Sequence, residues 1–179
     1  MKGGETMNIR KGFTLIELLV VIAIIGVLST LAVVSFQGAR GKARDAQRLS
    51  AVKALQQGLE FYYNDNDSSY PLAHTTAIKL SNDTAKTNCL DSNGFKDGST
   101  TTPCVDPIYL KTINDDPSPG VLWYYLSNGS DTIPATKYAI AVKMEGNTNP
   151  YKVGWNCMLN DGSLGVVTET NDVPACTIP

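Results

Sequence analysis

The chain contains a single histidine, His74, and no G-x-x-x-x-G-K-[ST] or G-x-G-x-x-G phosphate-binding run. One imidazole in a polar loop cannot build a His-based triad or a multi-histidine metal centre, and it reads as a solvated surface residue. Without a nucleotide site, the chain must draw the energy for any assembly from a partner. A surplus of base is missing too: 15 Lys and Arg stand against 17 Asp and Glu, a net charge of −2 with a pI near 5.3. The electrostatic footprint of nucleic-acid binding is absent, and direct contact with DNA or RNA is not expected. The four cysteines, Cys89, Cys104, Cys157 and Cys176, nowhere adopt the C-x-x-C spacing of zinc or redox motifs.

Two further absences define the N-terminal third. No charged side chain occurs from Leu18 to Ala39, and no proline occurs before Pro71. As a helix those uncharged positions span about 33 Å, which matches a hydrocarbon core of ~30 Å. A secretory signal has a shorter apolar region, ~7–15 residues, closed by an A-x-A site, and no such site closes this one. The helix is expected to continue: Leu49, Val52, Leu55, Leu59 and Tyr62 recur at three- and four-residue steps, an amphipathic stripe. One helix thus begins in the membrane and leaves it, ending after Asp67 at the breaker cluster Ser68-Ser69-Tyr70-Pro71. Basic residues lie on both sides, Lys2, Arg10 and Lys11 before the span and Arg40, Lys42, Arg44 and Arg48 after it, so their count does not orient it. The cysteines do, because disulfides want the C-terminal part in an oxidising compartment outside. Four cysteines allow three pairings. The local pairs Cys89–Cys104 and Cys157–Cys176 are preferred, since each brackets a turn-rich stretch with few apolar residues.

Glu17 sits at the front of the apolar run. A carboxylate within a membrane costs ~2.5–3.5 kcal/mol at a helix centre, less near an end, and marks a functional position with a partner to be found. The plainer reading is an acid solvated near a helix N-terminus, where the dipole favours it. Gly12-Phe13-Thr14-Leu15-Ile16-Glu17, preceded by Arg10 and Lys11 and followed by a long apolar helix, resembles the class III signal of type IV pilins and type II secretion pseudopilins. The resemblance implies that a membrane-embedded aspartyl prepilin peptidase cuts between Gly12 and Phe13 and N-methylates the new amine of Phe13. It implies also that Glu17 meets the Phe13 amine of a neighbouring subunit in a filament, two charges that attract strongly when desolvated together. Met7 would give a six-residue leader, MNIRKG, that suits this family better than a start at Met1. Leu59 to Pro71, LEFYYNDNDSSYP, resembles the helix end of G-type pseudopilins and of related Gram-positive pilins.

The remaining chain reads as an α+β, pilin-like head. Val121–Leu126, Lys137–Met144, Tyr151–Cys157 and Ser163–Glu169 are rich in aromatic and β-branched residues and are separated by Asn-Gly, Gly-Asn and Asp-Gly turn signals. These predict an antiparallel sheet of three or four strands laid against the C-terminal half of the helix, one face of Tyr138–Val142 packing on it. Leu72 to Pro107 is expected to be mostly loop, tied by Cys89–Cys104, with a short helix around Thr76–Leu80. The organisation is therefore a leader over 1–12, an apolar helical half over 13–39, an amphipathic half over 40–67, and a β-rich head over 68–179.

Hard oxygen ligands for calcium occur at Asp65 and Asp67 and at Asp91 and Asp97, but neither cluster fits an EF-hand loop, and turn chemistry accounts for both. No cofactor is expected. Tyr62, Tyr63, Trp123, Tyr124 and Tyr125 read as core rather than as a stacking platform. Asp115 and Asp116, the one carboxylate pair an enzyme could use, lie in a Pro-rich turn and are expected to be solvated, so an enzyme is not expected.

The expected role is a filament subunit that bundles through its apolar helix, where Ala23, Gly26 and Ala32 allow close approach. Its partners would be membrane lipid, the peptidase, other copies, an assembly ATPase and inner-membrane platform proteins. The chain would be held single-pass in the cytoplasmic membrane with its head outside, and then extruded. A pilus subunit, a type II secretion piston, and a membrane-anchored module binding calcium or another ligand all remain open at this point.

Overall fold

A computed structural model describes residues 12–73, 77–80, 89–96, 104–170 and 173–179. The chain forms two compact units that divide between Arg40 and Gly41. A single helix, α1 (Leu15–Asp65), runs through both.

In the first unit the apolar side chains of α1 stand out from the helix. Leu15 is 82% exposed, Val21 47% and Leu31 67%. By length and composition this is a helix able to cross a membrane. A stretch of this composition cannot form a stable soluble surface by itself, and it needs lipid or protein around it.

In the second unit α1 turns the predicted stripe inward. Val52, Leu55 and Leu59 are buried and Leu49 and Tyr62 are partly buried against the same core. The helix closes through two residues with positive φ, Asp67 at 50° and Ser68 at 55°, while Ser68 N–H reaches back to Tyr63 O at 3.1 Å. The helix therefore ends at Asp65, two residues before the sequence expectation, because Asn66–Ser68 form the closing turn.

Against this half lies a six-stranded antiparallel sheet: β1 (Ile78–Leu80), β5 (Trp123–Ser127), β6 (Tyr138–Met144), β7 (Gly154–Leu159), β8 (Leu164–Thr170) and β9 (Val173–Thr177), in that spatial order. A three-stranded antiparallel sheet is made by β2 (Leu90–Asp91), β3 (Gly94–Phe95) and β4 (Ile108–Leu110), in the order β3-β2-β4. Strand periodicity of two explains which side chains face the helix. Trp123, Tyr125, Tyr138, Ile140, Val142 and Met144 join Val52, Leu55 and Leu59 in one core. On the opposite face, Tyr124, Ala141 and Cys157 form a second cluster with Trp155 and Cys176.

The four predicted strands are the central ones, β5 to β8. The sheet has six strands rather than the expected three or four, because short edge strands at β1 and β9 extend it on both sides. The segment expected as a short helix around Thr76–Leu80 contains strand β1, in register with β5 through Ile78 opposite Tyr125 and Leu80 opposite Trp123. Cross-strand pairing with two aromatics outweighs the local preference of three residues. Strand β9 carries Pro174, which a central strand would not tolerate but an edge strand does. The loop expected over Leu72–Pro107 holds β1, β2 and β3 among its described residues.

Disulfides join Cys89 to Cys104 and Cys157 to Cys176, with Cα atoms 6.4 and 5.8 Å apart. The second crosses β8 from β7 to β9. It passes over Gly165, where a Cβ would meet Thr177 O at 3.1 Å and the Cys157 Cβ at 3.4 Å. A glycine there allows the crossing.

Candidate functional site

Two constellations stand out, one in each unit. The first is the start of α1. Gly12 and Phe13 precede the helix, and Phe13 is 85% exposed. A Cβ on Gly12 would meet nothing within 4 Å, so among the described residues no packing demands glycine at this position. Thr14 is the N-cap residue. Its N–H donates to Glu17 Oε2 at 2.8 Å and its hydroxyl donates to the same oxygen at 2.7 Å, while Glu17 N–H donates to Thr14 Oγ1 at 3.3 Å. This reciprocal arrangement is a capping box, in which the first and fourth residues of Thr-x-x-Glu satisfy otherwise unpaired donors. Among the described residues Glu17 Oε1 takes no partner, so the carboxylate is fixed by one oxygen and available at the other. Its sequence signal is the Thr-x-x-Glu spacing of Thr14-Leu15-Ile16-Glu17 directly before an apolar run.

Behind Glu17 the side chains of Leu19, Val20, Ala23, Ile24, Val27 and Leu28 border an apolar groove along the helix. Gly26 has open space where a Cβ would stand. The small residues lower the helix surface and admit a neighbouring helix closely.

The second constellation lies in the head. Arg48, 1% exposed, is held by three carboxylates from three parts of the chain. Its Nε and Nη2 donate to Asp116 Oδ2 at 2.7 Å and Oδ1 at 2.6 Å, a bidentate pair. Its Nη1 donates to Asp45 Oδ1 at 2.6 Å, and Nη2 also donates to Glu145 Oε1 at 2.8 Å. Arg44 donates to both oxygens of Glu145.

The remaining lone pairs are filled. Asp116 also accepts from Trp123 Nε1–H and from Ser118 N–H, each at 2.8 Å. Asp45 accepts from the backbone N–H groups of Glu145 at 3.0 Å and Gly146 at 2.8 Å. The cluster thus locks α1 to the loop before β5 and to the end of β6.

Burial pulls the Arg48 guanidinium down, but hydrogen bonds to Asp116, Glu145 and Asp45 outweigh it and hold the group more firmly protonated than usual. The Arg44 and Ser118 bonds, helped by Arg48, hold the Glu145 carboxyl far below the ordinary carboxylate range.

Asp116 corrects a sequence expectation. Rather than solvated in its turn, its side chain is fully buried and ion-paired, because Arg48 and Trp123 converge on it. Asp115, its neighbour, is exposed. The two form no exposed acid pair for catalysis.

The calcium candidates are scattered in their uses. Asp91 is buried; its Oδ1 accepts Asn93 N–H at 2.8 Å, and its Oδ2 accepts Val105 N–H at 3.0 Å and faces Lys96 Nζ at 3.1 Å. It ties the β2–β3 hairpin to the stretch after Cys104. Asp65 and Asp67 are exposed at the end of α1. Asp97 and His74 lie outside the described residues. Among the described residues no three of His, Cys, Asp and Glu gather into a set able to hold a metal. Trp123 and Tyr125 are core residues, while Tyr124 packs on Trp155 on the other face of the sheet, ring centroids 5.6 Å apart.

Comparison with known proteins agrees with the first constellation. The family described as the prokaryotic N-terminal methylation motif matches residues 7–33. The type II secretion system core protein G of Aeromonas hydrophila is 32% identical over 108 residues, which cover 60% of this chain and 67% of that protein. The protein of the same description from Vibrio cholerae is 31% identical over 125 residues, 70% of this chain and 76% of its own length. A fimbrial protein of Neisseria meningitidis is 31% identical over 94 residues, 52% of this chain and 55% of its own length. No solved structure matches the chain significantly.

Proposed function

Because this chain belongs to the pilin and pseudopilin family, by its methylation motif and its likeness to type II secretion core protein G, we propose that it is stored in a membrane, processed between Gly12 and Phe13, and polymerised through α1. It is a pilin-like structural subunit and not an enzyme. The observation that carries the finer reading is the helix start: exposed Gly12 and Phe13 directly before a capped helix whose capping acid, among the described residues, has one oxygen without a partner. Among the described residues nothing packs against Gly12, which fits a residue selected for the narrow cleft of a peptidase. Phe13 would then carry the new, methylated amine.

Glu17 serves twice in this reading. In the single subunit its Oε2 caps α1 through Thr14. In the filament its Oε1 would accept from the Phe13 amine of a neighbour, a charge pair strengthened by the low dielectric of packed apolar helices. Only one register along the helix brings acid and amine together, so the pair orders the stack. Residues 1–12 are the leader in this scheme, 13–39 the filament core, 40–67 the helical half that carries the head, and 68–179 the remainder of the head.

Before assembly the apolar helix holds the chain in the cytoplasmic membrane with the head outside. Arg44 and Arg48 are paired with acids of the head, which leaves Arg40 and Lys42 as the basic flank of the span. Disulfides in the head fit the same orientation. The working partners are then the prepilin peptidase, an assembly ATPase and its membrane platform, and other copies.

Between filament types the secretion reading is favoured, because the likeness to core protein G extends over 125 residues and so well into the head. Mass spectrometry of the chain purified from its native membrane tests the processing. A chain beginning at N-methyl-Phe13 is the expected result; an intact leader overturns it. Electron microscopy of sheared surface fibres, set beside a secretion assay in a deletion strain, separates the two roles. Loss of secretion without loss of surface fibres supports the secretion filament, and the reverse supports a pilus.

A further inference from the structure

We propose that the loop between β6 and β7, with the end of the sheet beside it, docks on an anionic lipid surface. This docking rests on the membrane-held subunit proposed above, to which it adds a second lipid contact.

Strand β6 runs from Tyr138, whose ring meets that of Tyr70 just past the C-terminal end of α1 at 4.7 Å, to Met144. The loop after it, 145–153, therefore sits at the opposite end of the head. Two contacts with the first turns of this half of α1 fix it there. Asp45 accepts from the N–H groups of Glu145 at 3.0 Å and Gly146 at 2.8 Å, and a Cβ on Gly41 would stand 3.8 Å from Glu145 Oε2. Asp45 is only six positions past Ala39, the end of the uncharged run, or about 9 Å of helical rise. The headgroup layer is about 5–8 Å deep on each side of the hydrocarbon core, so a loop at this level lies within reach of it.

The loop presents an apolar tip on a fixed backbone. Val153 is 60% exposed, yet its N–H donates to Asn147 Oδ1 at 3.0 Å. Lys152 N–H donates to Asn156 Oδ1 at 3.1 Å, and Asn156 Nδ2 donates to Lys152 O at 2.8 Å and Gly154 O at 2.9 Å. Exposed lysines surround this tip. Lys152 is its neighbour in the chain, Lys143 stands with Nζ 5.8 Å from the centre of the half-buried Trp155 ring, and Lys42 belongs to the turn of α1 that meets Glu145. The nearby acids are already used: Arg48 pairs with Asp45, and Arg44 and Arg48 pair with Glu145. Among the described residues no acid pairs with Lys42, Lys143 or Lys152.

Lysine, an aliphatic tip and an indole together suit the membrane–water interface. Unpaired lysines favour anionic over neutral lipid. The lysines alone would also suit an acidic face of a second copy; their place beside the end of the apolar run selects lipid.

The test places the full chain in nanodiscs of phosphatidylcholine, alone or mixed with phosphatidylglycerol, and reads methyl NMR broadening by a nitroxide on the lipid headgroup. In the mixed discs Val153 should broaden several-fold more than Ile133, which is 61% exposed in the β5–β6 loop at the other end of the head. Lys143→Gln combined with Lys152→Gln should lower the docked population by a factor on the order of ten. Equal broadening of Val153 and Ile133 overturns the docking, as does broadening of Val153 that needs no anionic lipid or survives the double variant. A change at Val153 that grows with protein concentration in lipid-free micelles assigns the patch to a second copy and overturns it too. Val27 in the apolar run, read with a nitroxide in the acyl chain, separates the failures. If Val27 broadens and Val153 does not, the docking alone falls; if neither does, the membrane-held subunit falls with it.

Discussion

Arg48 and Asp116 form a two-bond ion pair with both side chains buried, although 68 residues separate them in the chain. One belongs to α1 and the other to the loop before β5. The pair is therefore formed only when the helix has docked. A buried charge without its partner is costly, so this contact penalises any alternative seating of the helix.

Asp116→Ala should destabilise the head by about 3–5 kcal/mol, because it leaves the Arg48 charge buried without its bidentate acceptor and removes the partner of Trp123 Nε1. Arg48→Met combined with Asp116→Leu should cost much less than either single change. Chemical denaturation followed by tryptophan fluorescence measures both. Additive losses in the double variant would contradict the pairing.

Acid should loosen the same anchor. The Arg44 and Ser118 bonds lower the folded-state affinity of Glu145 for a proton, so its contribution is present in full above the ordinary carboxylate range. It is lost progressively as pH falls below that range toward the depressed folded value. Glu145 is about one-third exposed, which lets solvent screen part of the effect. The denaturation midpoint of the native chain should fall more steeply between pH 5 and pH 3 (~1 unit either side of a normal carboxylate) than that of Glu145→Gln. Parallel curves would remove Glu145 from the account.

At the other constellation, Glu17→Val should block polymerisation while the head keeps its native near-ultraviolet dichroism. The measurement is the amount of the chain in sheared or pelleted filaments. Filaments formed at the native level would mean that α1 is only an anchor. Thr14→Ala removes the capping hydroxyl and should lower the stability of the first turn by about 0.5–2 kcal/mol, whereas Thr14→Ser keeps the cap. Hydrogen exchange at Leu18 reads the difference.

Opening Cys157–Cys176 should release the edge strand β9. The bond closes a sequence separation of 19 residues, for which chain entropy gives ~3 kcal/mol. Cys176→Ser should raise amide exchange in Val166–Thr168 while Ile140 stays protected. Gly165→Val should act similarly with the disulfide intact, since its side chain would press on Thr177 O and Leu159. Unchanged exchange in β8 for both variants would show that β9 is held by its backbone ladder alone.

Much of this architecture was legible because its determinants are local. The uncharged run from Leu18 to Ala39, the stripe through Val52, Leu55 and Leu59, and the alternation in Tyr138–Val142 each report a periodicity that side-chain burial imposes on neighbouring residues. The capping box was equally local, four residues long, and its carboxylate explains how an acid can stand at the head of an apolar helix. The edge strands β1 and β9 were not legible, because three residues beside Tyr124, or five containing a proline, become strand only when a neighbour offers its ladder.

Sequence by itself determined the long helix and the four central strands, since each rests on contacts within a few residues or on composition. Tertiary structure alone decided what the charges of the amphipathic half do. Arg44 and Arg48 read as a basic flank to a membrane span, and Asp116 as a solvated turn residue. Folding brings Asp116 and Glu145 onto Arg44, Asp45 and Arg48, because an ion pair needs proximity in space and these two acids lie about 70 to 100 positions away in the chain.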